Sequence, residues 1–258
     1  MGLFMYYYIY DSYLNHSKYS KVLTKIENRL VDLELKGKII KLSTLKNIKD
    51  VIKDAIKQEA STIVICGNDQ TLYQAINSIE NFDIVFGFIP ITSSSKIAKL
   101  LGVPPFENAC NVLASRIVEK IDLGKINKQY FLSDLKISNI NNIECDDQYR
   151  LFLKSKQSFY VYNLGSLDFQ KNINPQDGHL EILILPHKSF RFIFEFFLKF
   201  FKKEDRIDSF LLSKKIKISS NKQIHLYIDD NLSVVDPPVT IEVIQGKFKI
   251  IVGKERFF

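Results

Sequence analysis

The chain has no tryptophan and little cysteine, and this scarcity already excludes some classes of protein. Its three cysteines, Cys66, Cys110 and Cys145, are odd in number and far apart in the sequence. They predict neither a disulfide framework nor a metal site built from paired cysteines. We therefore expect a reducing compartment and a cytoplasmic protein.

Long apolar runs are also missing. No run approaches the roughly twenty residues that a membrane-spanning helix needs. The first eleven residues, MGLFMYYYIYD, lack a basic region and a small-residue cleavage site, so we interpret them as a strand and not as a signal peptide. Tyr6 stands where N-myristoylation requires Ser or Thr. The four histidines show no ligand spacing, and we expect them to be structural.

Positive charge is concentrated in one stretch. The net charge is +7, and residues 187–222 hold ten Lys or Arg against four Asp or Glu, a local charge of +6. This distribution favours an anionic surface as partner, and we expect no nucleic acid. Within this stretch, Phe190–Lys203 is predicted to be a helix with a basic stripe opposite a row of phenylalanines. Such a helix suits binding to an anionic membrane surface, here the inner face of the membrane. Alternatively, its phenylalanines pack onto the sandwich of the protein itself.

The first half of the chain alternates between short apolar runs and segments with helical spacing. Runs at Met5–Tyr10, Lys38–Leu42, Thr62–Cys66 and Asp83–Pro90 predict strands, and helices are expected between them. Ser43 or Thr44 is the expected cap of the second helix. This alternation predicts an α/β fold with a parallel, doubly wound, Rossmann-like sheet over residues 1–125. After Ile126, short strands separated by turn residues predict an antiparallel β-sandwich over residues 126–258.

The stretch Ser61–Asn77 is predicted to be a strand, a turn at Gly67 and a helix from about Thr71. Ligands of open parallel sheets bind over the carboxyl ends of strands, which is where this turn lies. Asp69 and Thr71 stand at its mouth, where an acid can hold a metal and a helix start can hold phosphate.

Three ordered motifs between Gly67 and Asn127 resemble the catalytic domain of diacylglycerol kinases and bacterial lipid kinases, a fold shared with NAD kinases. The first is GNDQTLYQAIN, the second runs from GFIP to LLGVP, and the third is IDLGKIN. The matching residues are Gly67, Asp69, Thr71, Leu72, Asn77, Gly87, Ile89, Pro90, Ala98, Leu101, Gly102, Val103, Pro104, Ile121, Asp122, Leu123, Gly124 and Asn127.

This resemblance implies ATP and Mg²⁺, with Asp69 holding a magnesium-bridged phosphate. The residues that would contact the nucleotide are Gly67, Asn68, Gln70, Thr71, Ser93, Ser94 and Thr44. The family has glycine where this chain has Asn68 and Gln70, and we expect the first change to be mild because Asn tolerates positive φ. Lys96 stands where the family carries an acid, and Lys96 with the three serines before it suits either an anion or a helix cap.

Two further acidic pairs follow from the resemblance. Asp177 and Glu181 match a segment that builds a structural magnesium site, although an Asp-Gly turn explains them equally well. The family's catalytic base, a Glu, aligns with Asn231, which cannot accept a proton near neutral pH. Asp229 or Asp230 is the expected substitute.

Two functions are compatible with these motifs. One is ATP-dependent phosphorylation of a diacylglycerol-like lipid hydroxyl at a degenerate active site. The other is a catalytically inactive pseudokinase that binds nucleotide, lipid or a protein partner. An NAD kinase is a weaker alternative because the motif spacing follows the lipid branch. Room for phosphates beside Gln70 and Thr92 would discriminate between the first two, and whether the chain forms a homodimer stays open.

Overall fold

A computed structural model describes residues 5–79, 82–138, 140, 142–152, 157–167, 171–186 and 209–258. The predicted amphipathic helix Phe190–Lys203 lies outside the described residues. Four parallel strands open the chain: β1 Tyr6–Tyr10, β2 Gly37–Lys41, β3 Thr62–Gly67 and β4 Val85–Pro90. They pair in the order β2-β1-β3-β4. β1 and β3 are buried along their whole length, as expected for strands with helices on both faces of a parallel sheet.

Five helices accompany these strands: α1 Ser20–Asp32, α2 Ile48–Lys57, α3 Asp69–Ile76, α4 Lys96–Leu100 and α5 Ala109–Ser115. α1 packs on α5, and α2 packs on α3. Apolar side chains at helical spacing, such as Leu23, Ile26 and Leu30 of α1, are buried against the sheet. None of the helices in this described part of the chain is long and apolar enough to cross a membrane. The predicted Rossmann-like α/β architecture is confirmed.

The start of α2 differs from the prediction. Its cap is Asn47, whose side chain accepts a hydrogen bond of 3.0 Å from the backbone N–H of Asp50. Ser43 and Lys46 instead close a turn through two reciprocal backbone hydrogen bonds. Because the residues directly after β2 form this turn, the helix begins only at Ile48. The prediction that Ser43 or Thr44 caps the helix is therefore wrong.

The described residues of the second half of the chain form mainly strands. They are β5 Val118–Ile126, β6 Gln129–Phe131, β7 Asp134–Ser138, β8 Asn142–Cys145, β9 Tyr149–Phe152, β10 Gln157–Tyr162, β11 Gly165–Leu167, β12 Lys171–Ile173, β13 Leu180–Pro186, β14 Ser209–Ser213, β15 Lys215–Ile218, β16 Ile224–Ile228, β17 Asn231–Val235 and β18 Val239–Ile251. Six of them form an antiparallel sheet in the order β14-β13-β10-β7-β16-β17. A second layer contains β5, β6, β8, β9, β15 and β18, and a short hairpin joins β11 to β12.

A hydrophobic core lies between these two layers. It combines Ile137 and Phe159 of the six-stranded sheet with Ile216 and Ile241 of the other layer, all fully buried. Alternating inward apolar residues on both layers are the pattern that a β-sandwich requires. The predicted second architecture is therefore confirmed.

The last strand, β18, joins the two halves. It pairs with β4 in parallel through Lys249 and Ile250, and with β5 and β15 in antiparallel fashion. The sequence predicts two strands here, Val239–Ile244 and Phe248–Val252, and the structure has one strand with an irregularity between Ile244 and Phe248. A domain boundary at residue 125 stays a prediction, because β18 returns to the first sheet.

Candidate active site

The loop after β3 is organised by a capping box. The side chain of Asn68 accepts a hydrogen bond of 3.0 Å from the backbone N–H of Thr71, and the Thr71 hydroxyl accepts one of 3.2 Å from the backbone N–H of Asn68. α3 consequently begins at Asp69. The backbone of Asn68 is extended, with φ −117°, so Asn68 does not use the positive φ that asparagine tolerates, and its side chain caps the helix instead.

Thr71 is buried, so its hydroxyl contacts other groups of the protein. Its hydroxyl donates a hydrogen bond to Asp11, which follows β1. The same hydroxyl explains Gly67, since a Cβ at Gly67 would lie 2.4 Å from Thr71 Oγ1. Both residues keep the loop close to the end of the sheet, and a direct contact of either with nucleotide stays a prediction.

Asp69 joins this loop to the next helix. Its carboxylate accepts hydrogen bonds from the Ser95 hydroxyl, from the backbone N–H of Lys96 at 2.9 Å and from that of Ile97 at 3.3 Å. These donors form the first turn of α4, whose amides have no partner within the helix. Asp69 thus accepts its hydrogen bonds from protein groups at the start of α4. Its predicted role toward a magnesium-bridged phosphate stays a prediction.

A cavity of about 280 Å³ opens where the two loops face the sandwich. Its lining residues are Asn68, Asp69, Gln70, Thr92, Ser94, Ser95, Asp229, Asp230 and Asn231. The structure therefore brings together the predicted acids Asp69, Asp229 and Asp230, which are far apart in sequence. Gln70 and Asp230 are exposed on its wall.

Two predicted nucleotide contacts lie elsewhere. Ser93 lines a neighbouring cavity of about 770 Å³, between the Ser-rich loop and the segment Gly253–Phe257. Thr44 belongs to the turn before α2 and is on the wall of neither cavity. Its nucleotide contact stays a prediction.

Asp229 is the most perturbed acid of the site. Its carboxylate is buried and accepts three backbone hydrogen bonds, from Leu132 at 2.7 Å, Ser133 at 2.7 Å and Asp134 at 3.1 Å. The pKa of Asp229 is raised from 3.8 to about 7. Burial is the main cause, and the charge of Asp134 acts in the same direction, whereas the three backbone amides lower the pKa. These hydrogen bonds also separate β6 from β7, where the sequence predicts one continuous strand.

Asp134 is a functional candidate that the sequence predictions did not include, whereas they include Lys96 only as part of the Ser-rich segment that suits an anion or a helix cap. The Lys96 ammonium forms an ion pair with the Asp134 carboxylate, which also accepts a hydrogen bond of 3.0 Å from the Ser133 hydroxyl. Burial opposes the charge of Lys96, but Asp134, Asp230 and Asp229 raise its pKa. Lys96 could have been found from its place in the second motif, whereas nothing in the sequence distinguishes Asp134 at the start of β7.

Asp177 and Glu181 do not form a joint site with a third acid. Asp177 accepts a hydrogen bond of 2.9 Å from the backbone N–H of His179, which is the turn alternative considered above, and Glu181 is buried in β13. The nearby acid Asp122 already accepts hydrogen bonds from the backbone N–H groups of Gly178 and Gly246. Within the described ranges, no cluster of three or more His, Cys, Asp or Glu could hold a metal. A metal at Asp177 and Glu181 stays a prediction.

The acids of the cleft do not fit a Mg²⁺ ion held by the protein. A hard cation needs carboxylate oxygens that other donors leave accessible. Here Asp69 accepts from the start of α4, Asp229 accepts from three backbone amides and Asp134 is paired with an ammonium, so Asp230 alone keeps an exposed carboxylate. A lysine already supplies positive charge among these acids.

Comparison with known proteins shows what this chain is similar to. Residues 6–126 match the family model of the diacylglycerol kinase catalytic domain. A diacylglycerol kinase from Bacillus subtilis is 23% identical over 133 residues, which are 50% of this chain and 43% of that protein. The matched part of this chain thus spans less than half the length of that relative.

Solved structures extend the likeness to the whole fold. A diacylglycerol kinase from Bacillus anthracis superposes with a TM-score of 0.75 at 21% identity, covering 97% of each chain. An NAD kinase from Archaeoglobus fulgidus in complex with ATP gives a TM-score of 0.61 at 15% identity, covering 98% of this chain and 95% of that one. The resemblance seen in the motifs is confirmed: residues 6–126 match the family model of the diacylglycerol kinase catalytic domain, and the chain shares the fold of these solved structures.

Proposed function

We propose that the chain binds ATP in the cleft between the β3–α3 and β4–α4 loops and phosphorylates the hydroxyl of a diacylglycerol-like lipid. The observation that carries this proposal is Asp229, a buried carboxyl group with a pKa of about 7 on the wall of the cavity that Asp69 also lines. A general base works best when its pKa lies near the operating pH. Few carboxyl groups have such a pKa without a functional reason, and clefts are where they concentrate.

In the proposed reaction, the lipid hydroxyl oxygen forms a bond to the γ-phosphorus of ATP while the bond from that phosphorus to the ADP oxygen breaks. Asp229 accepts the proton that the hydroxyl loses. Asp230, exposed on the same wall, is the other acid able to take this proton. Asp229 is favoured because burial makes its carboxylate the stronger base.

The phosphates would lie against the opposite wall. Gly67, Asn68, Gln70 and Thr71 form the loop after β3, and Ser94 contributes a hydroxyl group from the loop after β4. Phosphoryl transfer depends mainly on positioning and charge neutralisation, so these loops act by holding the nucleotide in line with the lipid hydroxyl. We assign no step to Mg²⁺, because in the described part of the chain no cluster of three or more metal-ligating side chains lines this cavity.

One observation favours a second candidate, a pseudokinase that binds nucleotide without transferring phosphate. The Asp69 carboxylate already accepts three hydrogen bonds from the start of α4 and so is not directed at a ligand. Recruitment to an anionic membrane through Phe190–Lys203, and a homodimer, remain proposals under either candidate.

Isothermal titration calorimetry of ATP with magnesium chloride tests nucleotide binding. We expect the wild type to bind with micromolar affinity and Asp69→Ala to lose binding, since the start of α4 is no longer held. Asp54→Ala removes an exposed acid of α2 and serves as the matched control, which should bind like the wild type. Absence of binding by folded wild-type protein would rule out the ATP-dependent function.

A further inference from the structure

Lys96 connects the two halves of the chain beside the cleft, next to Ser95, which lines it. It is the first residue of α4, and its ammonium pairs with Asp134 of β7 in the six-stranded sheet. The Lys96 side chain is 43% exposed, whereas the Asp134 side chain is only 12% exposed. The acid is thus fixed in the structure, and the lysine is the partner that is free to move.

Helix stability does not explain a lysine at this position. A positive charge beside the free amide groups of a helix start is unfavourable, and acids are preferred there. The backbone N–H of Lys96 is already satisfied by Asp69 at 2.9 Å, so the side chain contributes nothing to the cap. Its surroundings explain it better, because Asp134, Asp229 and Asp230 all lie close enough to favour its charged form.

The cleft needs a cation wherever phosphates are to bind. A triphosphate entering the 280 Å³ cavity would meet Asp229 and Asp230 on the far wall and Asp69 on the near wall. Like charges at this distance repel strongly in a partly buried site. Among these acids only Asp230 offers an exposed carboxylate, which is too few oxygens for a Mg²⁺ ion held by the protein, so Lys96 is the candidate for the neutralising charge.

We propose that Lys96 is the phosphate-binding cation of this cleft, which exchanges its ion pair with Asp134 for the phosphates of an incoming nucleoside triphosphate. The inference rests on the proposed function. The exchange is feasible because the Lys96 side chain is 43% exposed and the Asp134 carboxylate keeps its hydrogen bond from the Ser133 hydroxyl, whereas a phosphate offers several charge-assisted hydrogen bonds. It also implies that the cleft holds ATP without a divalent cation.

Calorimetry of ATP binding in EDTA tests this inference. We expect the wild type to bind ATP in EDTA, and Lys96→Met to bind about tenfold more weakly or worse, as the loss of a charged hydrogen bond predicts. Lys57→Met removes the same charge from the exposed last turn of α2, at the opposite end of the parallel strands, and should bind like the wild type. Lys96→Arg should retain most of the affinity because it keeps the charge.

Asp134→Asn gives an independent readout. It frees Lys96 from its partner, so ATP should bind more tightly than to the wild type. Circular dichroism and thermal unfolding establish that each variant is folded. If Lys96→Met does not fold, the Asp134→Asn result decides.

The failures of the two proposals are distinguishable. Folded Lys96→Met that binds ATP like the wild type, a wild type that needs magnesium for any binding, or Asp134→Asn with unchanged or weaker affinity would each overturn the role of Lys96 and leave nucleotide binding intact. A wild type that binds no ATP with or without magnesium would overturn both.

Discussion

The hydroxyl of Ser95 donates a hydrogen bond to the carboxylate of Asp69, although 26 positions separate the two residues. This contact joins the end of β3 to the start of α4 and sets one wall of the cleft. Two backbone amides, of Lys96 and Ile97, complete the arrangement. The two loops that the proposed function assigns to phosphate binding are thus one rigid unit.

Asp69→Ala should therefore lower stability as well as nucleotide binding. It leaves three donors without their acceptor, and we expect the free energy of unfolding to fall by about 1–3 kcal/mol. Urea denaturation followed by circular dichroism measures this, with Asp69→Asn as the variant that keeps one acceptor oxygen and loses less. An Asp69→Ala protein as stable as the wild type would show that the carboxylate does not hold α4.

Asn68 should behave as a helix cap and not as a residue selected for positive φ. Asn68→Ala is expected to cost about 1 kcal/mol, and Asn68→Gly only a few tenths. The comparison is informative because glycine is also the residue that the family motif carries at this position. Equal stabilities of the two variants in urea denaturation would contradict the capping role.

Gly124 of the IDLG motif should tolerate no side chain. A Cβ there would lie 2.0 Å from Cζ of Phe131, a fully buried ring between the layers. We expect Gly124→Ala to lower the free energy of unfolding by about 3 kcal/mol, at the upper end of the cost of overpacking. Gly246→Ala is the control: it has open space but a φ of +55°, so a loss of about 1 kcal/mol is expected from backbone strain alone. A Gly246→Ala protein that is less stable than the Gly124→Ala protein would contradict this prediction.

Asp229 should make the folded protein less stable as pH rises toward neutrality. Its pKa is about 7 in the folded state, against 3.8 ordinarily, so between these values the folded chain keeps a proton that the unfolded chain releases. This contribution is fully present near pH 4 and is lost as pH rises through about 7. Between pH 5 and pH 8 it should fall by about 3 kcal/mol.

Urea denaturation at both pH values, on the wild type and Asp229→Asn, measures this loss. The variant has no group to titrate at this position, so the stability difference between the two proteins should move in favour of the variant as pH rises. A difference that stays constant from pH 5 to pH 8 would mean that Asp229 titrates at an ordinary pKa.

The fold follows from the sequence more directly than the site does. The buried runs Thr62–Cys66 and Asp83–Pro90 predict strands because β-branched and aromatic residues end abruptly at turn residues, and both strands are observed. The predicted cap at Ser43 or Thr44 fails because residues of that type also close turns, and the backbone of Ser43 and Lys46 does so here. Because Ser and Thr are common both at helix caps and in turns, the sequence pattern alone does not show which of the two forms here.

The site is partly visible in the sequence, since Asp69, Asp229 and Asp230 do meet at one cavity. The ion pair of Lys96 with Asp134 is not visible, because it depends on how β7 lies across the cleft from α4. The three amides that hold Asp229 belong to the segment between β6 and β7, and the sequence does not show that this segment lies against Asp229. Long-range pairing and burial decide these contacts, and neither is encoded in residue spacing.

The transfer of labelled phosphate from ATP to diacylglycerol in mixed micelles, by wild type beside Asp229→Asn, tests the proposed function most directly. The proposal predicts labelled phosphatidic acid from the wild type, with a rate that rises with pH through about 7. Asp229→Asn should be slower by about 100-fold or more, as for the loss of a general base, while its ATP binding is retained. No transfer by folded wild type that binds ATP, or undiminished transfer by Asp229→Asn, would contradict it.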